Sequence, residues 1–225
     1  MIHEKKKLKT KVKVTLALGA PLLFFLLLEI VLLICGFGHS TAFMVRQNFK
    51  GKDYHVPNPW FTAPYFPKQN PRQTGPFAIP VNKPENTIRV LVLGASAAQG
   101  DPKPAFGFHR MLERSLAKQF PGKQVAIHNL GITAVNSHVV KEIAHECRDL
   151  EADHWIIYLG NNEVAGPFGP ANPSIPLASY GAVRKIRLAL AKTRTGQLLQ
   201  NILLGNPLEG NSQLKWMGME EFLQP

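Results

Sequence analysis

Cysteine is scarce and acidic residues are few, and both shortages narrow the field. The two cysteines, Cys35 and Cys147, lie in a long apolar run and in a helical pattern, so a disulfide framework is not expected. Fifteen Asp and Glu stand against 26 Lys and Arg, a formal net charge of +11. Spread over a folded surface, that excess would point to nucleic acid or anionic lipid. It is not spread evenly: Lys5, Lys6, Lys7, Lys9, Lys11 and Lys13 against Glu4 place five of the eleven net charges in the first 13 residues. No nucleic-acid partner is expected. At 225 residues, 45% of them hydrophobic, the chain supports one substantial core with appendages.

Several motifs are also missing. In "GASAAQG" Ser96 occupies the middle glycine that a dinucleotide fingerprint needs for close approach to a pyrophosphate. A short-chain dehydrogenase variant would need glycine at Ala98 and a Tyr-x-x-x-Lys pair, whereas Tyr180 is followed by Arg184. No Gly-Lys-Ser/Thr loop occurs, so a Rossmann-like or P-loop nucleotide site is the weaker reading. His145-Glu146 is followed by Cys147-Arg148-Asp149, so the HExxH zinc pattern is absent. No metal or cofactor is expected, and no internal repeat is visible.

What is present begins with an apolar run. Val14–Cys35, 22 residues, would extend about 33 Å as a helix, enough for a hydrocarbon core of about 30 Å. Glu29 opposes insertion by about 3 kcal/mol, while the fifteen Leu, Ile, Val and Phe around it return about 0.4 each. Insertion wins, with Glu29 protonated, packed on a partner helix or snorkelling from an off-centre position. A cleaved signal peptide fits less well, because the run is too long and no A-x-A-like site follows. The lysine-rich tail, residues 1–13, is then cytoplasmic, residues 14–35 cross the inner membrane once, and the rest is periplasmic or otherwise extracytoplasmic.

Residues 36–85 read as an extended linker. The stretch 54–80 holds seven prolines and six aromatics, which excludes helix, and its aromatics are expected to dock on the domain that follows. From Thr87 the pattern is regular: "IRVLVL" (88–93) as a strand covered on both faces, helical spacing of Phe108, Met111, Leu112, Leu116 and Phe120, and "QVAIHN" (124–129) as a second strand. A helix marked by Val139, Val140, Ile143, Cys147 and Leu150 follows, then "HWIIYLG" (154–160) as a third strand. This alternation predicts an α/β fold, a three-layer doubly wound parallel sheet of flavodoxin-like type over 86–225. A basic amphipathic helical arm is expected at about 178–204, its cations a solvated face or a contact for membrane phosphates.

In an open parallel sheet the working crevice lies beyond the carboxyl ends of the strands. "GASAAQG", "NLGITAVNS" and "GNNE" all fall there. Ser96, on a strand-to-helix turn, can expose its hydroxyl and aim its own N–H at a developing oxyanion. It is not the G-x-S-x-G elbow, since Ala98 replaces the second glycine.

These residues resemble the SGNH (GDSL-like) hydrolases. The first block of that family, G-D-S-x-x-x-G, is similar to Gly94, Ala95, Ser96 and Gly100, with alanine for aspartate; the second supplies a glycine, here Gly131; the third, G-x-N-D, is similar to Gly160, Asn161, Asn162 and Glu163. The resemblance implies that Ser96 is the nucleophile, that Ser96, Gly131 and Asn162 form an oxyanion hole, and that Gly94, Gly100, Gly160 and Glu163 support them. It covers roughly residues 86–170. It looks closest to a membrane-anchored branch in which tetratricopeptide repeats follow the domain and could recruit protein partners.

A serine needs a base and the base an orienting group, which the family takes from a D-x-x-H block. No D-x-x-H occurs in these residues. Glu142-x-x-His145 and Glu151-x-x-His154 only imitate the spacing. The catalytic His and Asp are therefore expected outside this chain, and the sheet is expected to be incomplete. Two functions remain: a membrane-anchored ester hydrolase or acyl transferase acting on an acylated glycan, lipid or small ester, and a non-catalytic binding or scaffold module.

Overall fold

The computed structural model describes residues 10–66, 72–171 and 181–204. They fall into two compact units, one drawn from within 1–39 and 189–206, the other from within 40–188.

The first unit holds α1 (Thr10–Ile34) and α6 (Arg194–Leu204). Within α1, Thr15–Ile34 is long and apolar enough to cross a membrane, and its leucines and phenylalanines are exposed all round. Glu29 is not left bare. Its two carboxylate oxygens accept the backbone N–H groups of Arg194 and Thr195, each at 2.7 Å, at the start of α6.

The second unit is a mixed α/β body. At its centre β4 (Thr87–Gly94) lies between β5 (Gln124–Asn129) and β6 (His154–Tyr158), parallel to both. Leu91 pairs with His128 on one side and Trp155 on the other. Residues 89–94 of β4 are all buried, as expected of a strand covered on both faces. Leu91 and Leu93 meet Val139, Val140, Ile143 and Cys147 from α4 (Ser137–Cys147), while α3 (Phe108–Gln119) packs on β5. β6 is different: Trp155, Ile157 and Tyr158 are exposed along an edge.

Residues 36–85 do more than link. β1 (Met44–Phe49) and β2 (Lys52–Pro57) form a hairpin closed by Lys50-Gly51, both at positive φ as a type I′ turn requires, and β3 (Ile79–Pro80) pairs with β2. The aromatics dock as expected: Phe43 stacks edge-on against Phe61 at 4.9 Å, Phe61 meets Tyr65, and Tyr65 meets Phe168. Phe43, Phe61, Tyr65 and Phe168 all belong to the core of the sheet domain. Arg89, buried in β4, ties the two sheets together by donating to the carbonyls of Pro80 and Leu150.

The helical arm is two helices rather than one: α5 (Gly181–Ala191) and α6, separated at Lys192-Thr193; Ala178 to Tyr180 lie outside the described residues. The break has a local cause. The Thr193 hydroxyl accepts the N–H of Gly196 at 2.9 Å, an N-cap that starts α6.

Candidate active site

The strand β4 ends in Gly94, where a Cβ would stand 1.9 Å from the Tyr158 carbonyl oxygen, so no other residue fits between β4 and β6. The chain turns at Ala95, whose N–H donates to that same carbonyl, and Ser96 opens the short α2 (Ser96–Gln99). Gly100, in a left-handed conformation, closes it by donating to the Ser96 carbonyl at 2.8 Å. Ser96 is half-buried, and its hydroxyl has no hydrogen-bond partner among the described residues.

Gly131 lies against α2. A Cβ there would approach the Gln99 backbone nitrogen at 2.7 Å, so glycine permits the loop after β5 to close on α2. Its N–H is engaged, donating to Asn129 Oδ1 at 3.0 Å. The same Asn129 side chain reaches the carbonyls of Ala98 and Gln99 and the His109 ring at 3.0–3.1 Å. Asn129 is thus the hub that joins β5, α2 and α3, a role the sequence reading did not assign. Only its place in "NLG", directly after a strand, could have hinted at it.

Asn162, beyond β6, is buried, and its Nδ2 donates to the Val135 carbonyl at 3.0 Å. An amide carries two N–H groups, and among the described residues only one of them has a partner. Glu163 accepts the Ser137 N–H at 2.9 Å and the Ser137 hydroxyl at 2.6 Å, so its carboxylate caps α4. Gly160 sits at φ +147° with open space around it. Gly131 and Val135 belong to one loop, so all three segments meet on residues 130–137. No hydrogen bond joins Ser96 to Gly131 or Asn162.

Burial, then Arg110, pushes His109 down, and its Nδ1 faces Asn129. Burial, then Arg89, pushes His128 down to about 4, and its Nε2 lacks a partner. Burial, then Arg184, lowers His138, whose Nε2 lies 3.0 Å from Arg184. His145 and His154 are exposed at the end of α4 and the start of β6. None hydrogen-bonds Ser96. Among the described residues no group of three or more His, Cys, Asp or Glu gathers as metal ligands.

No protein-family model, no curated protein and no solved structure matches this chain.

Proposed function

We propose that the protein is a membrane-anchored serine ester hydrolase or acyl transferase of the SGNH type, with Ser96 as nucleophile. The observation that carries this reading is the place of Ser96, first residue of α2 on a strand-to-helix turn whose glycines admit the flanking backbone, with no hydrogen-bond partner for its hydroxyl among the described residues. A strand order with the first parallel strand between the second and third supports the doubly wound fold that the reading entails. The α1 helix supplies the anchor, and the lysine tail sets the catalytic unit outside the cytoplasm.

In this scheme Ser96 Oγ attacks an ester carbonyl and passes its proton to a histidine brought from outside the described residues. The Ser96 N–H and the second Asn162 N–H stabilise the oxyanion. Gly131 joins them when its N–H leaves Asn129. The intermediate collapses as the ester C–O bond breaks and the histidine gives its proton to the leaving alcohol; water or a sugar hydroxyl, losing its proton to the same histidine, then takes the acyl group from Ser96, whose hydroxyl regains the proton. Substrates in this class are acylated glycans, lipids or small esters.

A second reading keeps the crevice but not the chemistry: a binding or scaffold module, with partners engaged through repeats elsewhere in the protein. It is favoured by the lack of a base at Ser96 and by the occupied Gly131 N–H. Asn162→Ala separates the two. Loss of one preorganised donor lowers kcat by about 10² to 10³-fold with the fold intact. Esterase activity within a few-fold of the parent overturns the assignment of Asn162. A reporter active only outside the cytoplasm, fused after Pro225, tests the topology; activity of a cytoplasm-only reporter there overturns it.

A further inference from the structure

The helix α6 is inside out for a protein in water. Its exposed stripe is Leu199, Ile202 and Leu203, at i, i+3 and i+4, while Gln197 is buried. Gln197 is fully used: its amide donates to the carbonyls of His39 and Ala191 and accepts the His39 N–H at 3.0 Å. A glutamine satisfied inward with Leu199, Ile202 and Leu203 outward is the arrangement of a helix whose surroundings are hydrocarbon. The same unit contains α1, whose surface is apolar in the same way.

We infer that α6 lies in the interface of an anionic phospholipid bilayer, clasped to α1 through Glu29, with Leu199, Ile202 and Leu203 turned to the acyl chains. The inference rests on reading α1 as a membrane span, and it assigns a partner to a helix that reading leaves unexplained. Three observations carry it. Glu29 precedes the end of α1 at Ile34 by five residues, about 7.5 Å of rise, so its grip on the Arg194 and Thr195 N–H groups holds the first turn of α6 at interfacial depth. α1 and α6 belong to one compact unit, and each carries exposed leucines. The part of this unit at 189–206 contains no Asp or Glu, while Lys192 and Arg194 fall within it, a charge pattern complementary to anionic headgroups. The clasp also gives Glu29 two charge-assisted hydrogen bonds in an apolar helix where an unpaired carboxylate would be costly.

The test uses the full chain in phosphatidylcholine vesicles with and without phosphatidylglycerol. In a Cys35→Ser background Cys147 is fully buried and silent to labelling, and an environment-sensitive fluorophore is attached at Leu22→Cys, Leu203→Cys or Lys118→Cys. Brominated lipids are expected to remove about half of the emission at 22 and 203 and to spare 118, more strongly at 203 when phosphatidylglycerol is present. Glu29→Ala should abolish quenching at 203 and preserve it at 22, because removing a charge does not weaken insertion of α1. If 22 is not quenched, the membrane reading itself fails. If 22 is quenched and 203 emits as in water, this inference alone fails. A blue-shifted label at 203 without bromolipid quenching reveals a protein partner, such as a second copy, and overturns the lipid assignment. Quenching at 203 that survives Glu29→Ala overturns the clasp.

Discussion

Helices α4 and α6 are both 11 residues long, and they solve opposite problems. In α4 the residues Val139, Val140, Ile143 and Cys147 are buried and Lys141 and His145 exposed, the pattern of a helix lying between a core and water. In α6 Gln197 is buried and Leu199, Ile202 and Leu203 are exposed. Both helices are held at their starts by a glutamate distant in sequence, Glu163 for α4 and Glu29 for α6. The comparison teaches that an amphipathic period fixes which face differs, and that the surroundings decide which face turns inward.

The contrast can be broken most forcefully at Ile143. Truncation to alanine in a fully buried site should cost about 2–5 kcal/mol in urea unfolding, and a loss below 1 would mean that α4 is not the core helix described. Next comes acid. Unfolded His128 titrates near 6.5 and folded His128 at about 4, so the folded protein binds fewer protons between those values. Its contribution, about 3 kcal/mol, is whole above pH 6.5 and is lost as the pH falls to 4. His128→Leu should flatten that limb of the stability curve; an unchanged slope would place the acid sensitivity elsewhere. Glu163→Ala removes the carboxylate at the head of α4 and should cost about 1 kcal/mol, read as a lowered midpoint with an unchanged slope. The smallest effect is expected at Leu203: alanine there should change stability in detergent by less than about 0.5 kcal/mol. A large loss would show that the α6 stripe is packed on protein, reversing the comparison with α4.

How far these features were legible depends on the distance over which their causes act. β4, β5, β6 and the helices between them announce themselves, because "IRVLVL", "QVAIHN" and the spacing of Val139 to Cys147 are local consequences of burial. The hairpin β1–β2 does not, since "MVRQNF" and "KDYHVP" are half polar without a period-two alternation running the length of either, and their turn uses Lys50 where asparagine or glycine usually signals it. Cover is not local either: "HWIIY" is as apolar as a buried strand, yet β6 is largely exposed. The partner of Glu29 lies 165 residues away, and no window of sequence contains both. At the candidate site Gly94 and Gly131 were readable from their motif positions. That Asn129 occupies the Gly131 N–H follows only from how the loop after β5 folds onto α2.

The reading of Ser96 as a nucleophile is tested most directly by covalent labelling. The protein is treated with a fluorophosphonate probe and the modified peptide identified by mass spectrometry, in parallel with hydrolysis of an activated acetyl ester. The account predicts a single adduct on Ser96 in protein that carries the D-x-x-H block, neither adduct nor turnover in residues 50–225 alone, and loss of both in Ser96→Ala. Turnover that persists in Ser96→Ala, or a protein that binds acylated glycans while Ser96 stays unmodified, would contradict it and leave the crevice as a binding site.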